Sequence, residues 1–275
     1  MTRKTISADV RKALRDARNI IQDAVRMDCN EPETRKRVER VFEKVMDYNA
    51  LKHLSRERAV RASGLKEHVD FAIQLEPGPD ANIEVVVELK RVGVDLALKH
   101  VRQAASYAID YGCEWVLLTN GRQWRLYHVE FGQPPDTRLL EQWDILSDES
   151  AALAQKFDLI SLKNVRKGGL AKLWLQAKVL RPASLLGALV SEESLKLLRR
   201  TFKKTEGVNI AYGDMVAALK RLLNEAAAKE LDKVHVHIPE RKKLRRKRTA
   251  GREELPSERE PVLGEGMRES SEEEE

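Results

Sequence analysis

At 275 residues, with 42% apolar and 34% charged residues, the chain is long enough for one sizeable domain and an accessory region and has the composition of a globular protein. It contains no run of about 18 apolar residues and its first residues are charged, so we expect neither a membrane span nor a signal peptide. Cys29 and Cys113 are its only cysteines, which favours a reducing cytoplasm over a disulfide framework, and a net charge of +6 weakly favours a polyanionic partner.

Two amphipathic helices are predicted at the start of the chain. Apolar residues at helical spacing predict the first helix over residues 8–27. Pro32 stands where a first-turn proline belongs, and an apolar stripe after it predicts the second helix. This stripe consists of Thr34, Val38, Val41, Phe42 and Val45. Glu31 lies three residues before Thr34 and therefore projects near the edge of the stripe.

The sequence period then changes to that of β-strands. Residues 54–61 alternate loosely and residues 68–75 alternate clearly, with Asp70 facing away from the apolar side chains. Pro77-Gly78-Pro79-Asp80 has the composition of a turn, so the strands on either side of it form a hairpin. Its second strand, residues 83–89, is nearly continuous in apolar character, which is typical of a central strand covered on both faces.

A helix and a second hairpin are predicted next. Residues 96–111 show a helical pattern that ends at Gly112, a suitable C-terminal cap. Residues 115–119 form a short buried strand, and Asn120-Gly121 favours a two-residue turn into a partner strand at residues 123–129. The order ααβββαββ predicts an α/β fold with a mixed sheet flanked by helices.

The rest of the chain is first helical and then charged. Helical patterns over residues 148–162, 170–180, 191–204 and 212–231 predict a helical accessory domain at residues 151–238, after a first domain at residues 1–150. Residues 239–275 have no apolar pattern, and we expect them to form a disordered charged tail. Seven cations in this tail are candidates for binding DNA phosphates, the alternative being that they are merely solvated. They are Arg241, Lys242, Lys243, Arg245, Arg246, Lys247 and Arg248.

The residues that carry chemistry lie on the first hairpin and the helix after it. Glu88 and Lys90 are two apart on a strand and share a face, and Asp70 on the partner strand can place its carboxylate beside Glu88. Two carboxylates beside a lysine suit Mg²⁺, for which Mn²⁺ can substitute. The metal would activate water at a phosphate, and Lys90 would orient that water or offset charge. Gln103 and Tyr107, four apart on the helix, face the same way, so Tyr107 can support Gln103 at a phosphate or a metal-bound water.

Four segments together resemble a known family. Val69-Asp70-Phe71, Glu88-Leu89-Lys90, Gln103-Ala-Ala-Ser-Tyr107 and Leu-Thr-Asn-Gly-Arg-Gln-Trp-Arg-Leu-Tyr127 are similar to the N-terminal nuclease domain of type I restriction enzyme R subunits, of the PD-(D/E)xK type. The resemblance covers about residues 28–130. It implies a restriction-endonuclease-like fold and magnesium-dependent DNA cleavage. Asn30-Glu-Pro-Glu-Thr-Arg35 resembles the family's first helix, which supplies a further acidic residue, by position Glu31 with Glu33 as the alternative.

The sequence departs from the full R subunits, which carry an ATP-driven translocase. It has no Gly-x-x-x-x-Gly-Lys-Ser/Thr phosphate loop, so we expect no motor activity from it. Our first hypothesis is a DNA nuclease, with endonuclease favoured over exonuclease. The second is a non-catalytic DNA-binding or assembly subunit with a nuclease fold, in which the charged residues form an ordinary solvated strand face. The third is an interaction protein whose helical region and tail bind a partner that supplies specificity or a motor.

Overall fold

The structure is a computed structural model that describes residues 6–60, 67–78 and 81–234. The first part of the chain forms α1 (Ala8–Arg26), α2 (Glu31–Met46), α3 (Ala50–His53), β1 (Leu54–Val60), β2 (Glu67–Ile73), β3 (Val85–Leu89), α4 (Leu98–Asp110), β4 (Trp115–Thr119), β5 (Gln123–Glu130) and β6 (Asp136–Asp144). Seven helices follow: α5 (Ser150–Leu159), α6 (Leu162–Arg166), α7 (Gly169–Val179), α8 (Pro182–Leu189), α9 (Glu192–Thr205), α10 (Tyr212–Leu222) and α11 (Glu225–Lys233). In this part of the chain, no helix is long and apolar enough to cross a membrane. The predicted tail, with its basic run, lies outside the described residues.

Six strands form one mixed sheet in the order β1-β2-β3-β4-β5-β6. β3 and β4 are parallel and are connected through α4, whereas the other described neighbours are antiparallel. A parallel pair needs such a crossover connection, because a tight turn can join only antiparallel strands. The expected α/β fold with a mixed sheet flanked by helices is therefore confirmed.

The core lies around the two central strands. Every residue of β3 and of β4 is buried, as the continuous apolar character of these segments predicts. Trp124 of β5 is fully buried, with its ring 5.8 Å from that of Phe42 on α2 and 5.3 Å from that of Phe157 on α5. These edge-to-face contacts join the first helices and α5 to the sheet. Strand β5 is thus packed against α2 and α5.

Several features of the structure differ from the sequence prediction. β6 was not predicted, because its side chains are mostly exposed or half-buried and leave no alternating apolar pattern. The helix predicted over residues 212–231 is in fact two helices, because Asn224 accepts a hydrogen bond from the N–H of Ala227 at 2.9 Å and begins α11. The turn between β4 and β5 has three residues, 120–122, and not two. Helix α8 was also missed.

The first helices after the sheet pack into the main core, and the later ones form two small clusters of their own. Leu153 and Phe157 of α5, and Leu170 of α7, belong to the main core. Further along, Leu186, Val190 and Leu231 form one cluster, and a second cluster consists of Leu195, Tyr212 and Met215. The division into domains at residues 1–150 and 151–238 stays a prediction.

Candidate active site

Two carboxylates lie side by side where β2 and β3 pair. Phe71 is opposite Val87 and Ala72 is opposite Val86, so the same register, continued by one residue, sets Asp70 beside Glu88. The N–H of Leu89 donates to Oδ2 of Asp70 at 2.8 Å. Asp70 is 7% exposed and Glu88 is 2% exposed. The structure therefore holds both carboxylates in a site that is largely shielded from water.

Lys90 pairs with Glu88 at the end of the central strand. Its Nζ donates to Oε1 of Glu88 at 2.6 Å, and its N–H donates to the carbonyl of Thr119 on β4 at 2.9 Å. Burial raises the pKa of Glu88 to about 7, although the hydrogen bond and the charge of Lys90 oppose this shift. Burial also lowers the pKa of Lys90, but the bond and the charge of Glu88 outweigh it, so that pKa is raised overall. Lys90 is therefore a cation at neutral pH, and it does not fully stabilise the Glu88 carboxylate.

Helix α2 brings a further acidic residue towards these strand ends. Glu31 is its first residue, half-buried, and its negative charge raises the pKa of both Glu88 and Lys90. Glu33, the alternative by position, is exposed and hydrogen-bonds with the thiol of Cys29. The charge of Glu31 therefore acts on Glu88 and Lys90, whereas Glu33 acts on Cys29.

Arg35 is a residue of the site that the sequence analysis did not single out. It lies one helical turn after Glu31, on the same face of α2. Its Nη2 donates to Oδ1 of Asp70 in an ion pair whose side chains are mostly buried. The sequence feature that could have identified Arg35 is its position four residues after Glu31. The pairing across 35 residues of sequence has no signature in a local pattern.

Gln103 and Tyr107 are brought together on α4, which packs against β3 and β4. Nε2 of Gln103 donates to the hydroxyl of Tyr107 at 2.8 Å. Tyr107 is buried, whereas Gln103 is exposed. The phenol is therefore placed to hold the amide in one orientation at the surface. His100 lies in the first turn of the same helix and was not predicted as a site residue. Burial lowers its pKa, and the charge of Lys90 lowers it further, so His100 lies near the lysine.

The carboxylates of the site are possible ligands of a metal ion. Nowhere in residues 6–60, 67–78 and 81–234 do three or more His, Cys, Asp or Glu side chains form a group that could hold a metal ion. However, Mg²⁺ at phosphate-processing sites is commonly held by one or two carboxylates, together with water and the substrate phosphate. Asp70 and Glu88 supply such a pair, and the raised pKa of Glu88 marks negative charge that a further cation would stabilise. The residues present fit a hard divalent cation.

The mixed sheet thus carries two carboxylates and a lysine at neighbouring strand ends. Residues 30–138 match the family model of the type I restriction enzyme R protein N terminus. The match runs from just before α2 into β6 and includes all the candidate residues described above, so the resemblance predicted from the sequence is confirmed. Searches of curated proteins and of solved structures found no match to this chain.

Proposed function

We propose that this chain is a Mg²⁺-dependent DNA nuclease, and specifically an endonuclease, that hydrolyses phosphodiester bonds with metal-activated water. The observation that carries the proposal is the juxtaposition of Asp70, Glu88 and Lys90 at adjacent strand ends. The match to the R protein N terminus supports a nuclease-like domain in the same segment.

Each residue has a role that follows from its position. Asp70 and Glu88 would hold the metal, with Glu31 adding negative charge nearby. A bound Mg²⁺ supplies a nucleophilic water at neutral pH and neutralises phosphate charge. Lys90, being protonated, would donate to the attacking water or to the phosphate and offset the charge that develops there, but would not itself accept a proton. Gln103, held by Tyr107, would hydrogen-bond the phosphate.

The partners follow from the same proposal. DNA would be the substrate, and a protein partner would supply specificity or a motor. ATP-driven translocation is not part of the proposal, because the sequence contains no phosphate loop. The buried free thiols of Cys29 and Cys113 are consistent with action in the cytoplasm.

One observation favours a second candidate, a DNA-binding or assembly subunit that does not cut. Asp70 is paired with Arg35, and Glu88 is paired with Lys90, so each carboxylate already has a cation from the chain itself. Such pairs would suffice to stabilise a purely structural strand end. Only an assay separates this candidate from the nuclease.

The deciding experiment incubates the purified chain with supercoiled and linear DNA in Mg²⁺, in Mn²⁺ and in EDTA. We expect metal-dependent nicking of the circle, and a loss of at least ~10²-fold in Asp70→Asn, Glu88→Gln and Lys90→Met. Glu84→Gln, one residue before the opposite end of β3, is the matched control and should cut like the parent. If all three site variants also cut like the parent, the assigned site is wrong. A wild-type chain that is inert on both DNAs and binds no Mg²⁺ by calorimetry supports the second candidate.

A further inference from the structure

The ion pair between Arg35 and Asp70 occupies a carboxylate that would also be a ligand of the metal. One oxygen of Asp70 accepts from the guanidinium, and the other accepts the N–H of Leu89 at 2.8 Å. The side chains of Arg35 and Asp70 are 23% and 9% exposed. Charges that are partly withdrawn from water interact more strongly than exposed ones, so this guanidinium is a substantial counter-charge.

A divalent cation at Asp70 would change this balance. It would take over the neutralisation of the carboxylate and would repel the guanidinium, because the two cations would share one buried anion. Arg35 has a long side chain with several rotatable bonds, so rotation about them could carry its guanidinium away from Asp70.

A groove in the surface next to Arg35 could receive its guanidinium in a second orientation. Arg35 also lines a groove beside α2 and α3, together with Lys36 and Arg40. Two acidic residues line the same groove, and one of them, Glu43, accepts a hydrogen bond from Arg40 at 3.1 Å. Lys36 is exposed. A guanidinium turned into this groove could bind a phosphate in a bidentate manner.

We propose that Arg35 is a positioning residue that competes with the metal for Asp70 and, once displaced, binds a phosphate of the DNA backbone. Metal binding and DNA binding are then coupled through one side chain. The inference rests on the proposed function, since it assigns a role at the same metal site. By linkage, the metal strengthens DNA binding by the same factor by which DNA strengthens metal binding.

The first test measures Mn²⁺ affinity of the full chain by calorimetry, without DNA. Arg35→Met removes the competing charge and should bind Mn²⁺ roughly tenfold more tightly, whereas Arg35→Lys keeps a cation and should stay near the parent. Arg37→Met, on the same helix, is the matched control and should leave the affinity unchanged. If Arg35→Met is unstable, Arg35→Gln takes its place and should also bind Mn²⁺ roughly tenfold more tightly. An affinity that is equal or weaker in a folded, neutral Arg35 variant overturns the competition.

The second test measures binding of a short duplex with phosphorothioate linkages, in EDTA and in Mn²⁺. In the parent, Mn²⁺ should tighten binding more than in Arg35→Met, because only the parent releases a guanidinium to the phosphate. Equal enhancement in both proteins contradicts the transfer of Arg35 to DNA. Failure of the proposed function has a different signature, because the parent would then bind no Mn²⁺ at all. Tight Mn²⁺ binding that is indifferent to Arg35 rejects the inference and leaves the metal site intact.

Discussion

Nζ of Lys90 lies 2.6 Å from Oε1 of Glu88, and the two residues sit two apart at the end of the central strand. Glu88 is buried beside Asp70, whereas Lys90 is half-buried and is also held to β4 through its backbone N–H. Even with this partner, the pKa of Glu88 is raised to about 7, because burial withdraws the carboxylate from water. The ionised carboxylate of Glu88 is therefore less stable in the folded chain than its protonated form.

The first prediction concerns stability against pH without metal. The carboxyl of Glu88 has an ordinary pKa of 4.5 when unfolded and about 7 when folded, so the folded state holds the proton more tightly. Its stabilising contribution is full below pH 4.5 and is lost as the pH rises through 7. In EDTA, the free energy of unfolding should fall by an amount on the order of 2–3 kcal/mol over this range.

Urea unfolding between pH 4.5 and 8 measures this effect. Glu88→Gln should show a flatter dependence on pH than the parent, and Mg²⁺ should flatten the dependence of the parent. Parallel curves for the parent and Glu88→Gln in EDTA would show that another group controls the titration.

The second prediction separates catalysis from binding at Gln103. Its amide is exposed and held by the hydroxyl of Tyr107 at 2.8 Å, so it is preorganised for a contact outside the chain. Gln103→Ala should lower turnover without raising the apparent substrate constant, because a contact made mainly in the transition state is lost. Tyr107→Phe should cause a smaller loss of the same kind, and Ser106→Ala on the same helix should cause none. Normal turnover with weaker DNA binding would mean that Gln103 only positions the substrate.

Sequence reasoning predicted the parts of this structure that have a local pattern. β3 was found because its apolar residues are continuous, and Glu88 and Lys90 were placed together because alternate strand residues share a face. β6 escaped because its mostly exposed and half-buried side chains carry no alternation. The ion pair of Arg35 and Asp70 was not predicted either, because it joins a helix to a strand through tertiary packing, which has no characteristic spacing in the sequence.

The third prediction concerns the turn that joins β4 to β5. Gly121 has a φ of +84°, and a Cβ added there would lie 3.2 Å from Cδ1 of Ile21 and 3.4 Å from Cγ2 of Val38. Gly121→Ala therefore combines backbone strain with crowding against α1 and α2, and should lower the free energy of unfolding by about 2–4 kcal/mol. Gly112→Ala is the control, since Gly112 also has a positive φ, +66°, but open space around the added atom. Thermal melts that fall equally in the two variants would show that crowding is not involved.

The last prediction concerns the charged tail, which rests on the sequence alone. Residues 241–248 carry seven cations in eight positions, and residues 272–275 are four glutamates. Each DNA phosphate that the tail neutralises should steepen the fall of log affinity with log salt by about 0.9, through release of condensed counterions. The glutamates compete with DNA for the same cations, so they should weaken binding.

Truncation after Pro239 should therefore reduce the salt slope, whereas removal of residues 272–275 alone should tighten DNA binding. Titrations of the full chain and the two shortened chains at several salt concentrations measure both effects. Neither change should alter the rate of cleavage at saturating DNA, because Asp70 and Glu88 lie on β2 and β3, Lys90 directly follows β3, and all three are far from the tail in sequence. If slopes and affinities are identical in all three chains, the tail does not contact DNA, and its charge is solvated or serves a protein partner.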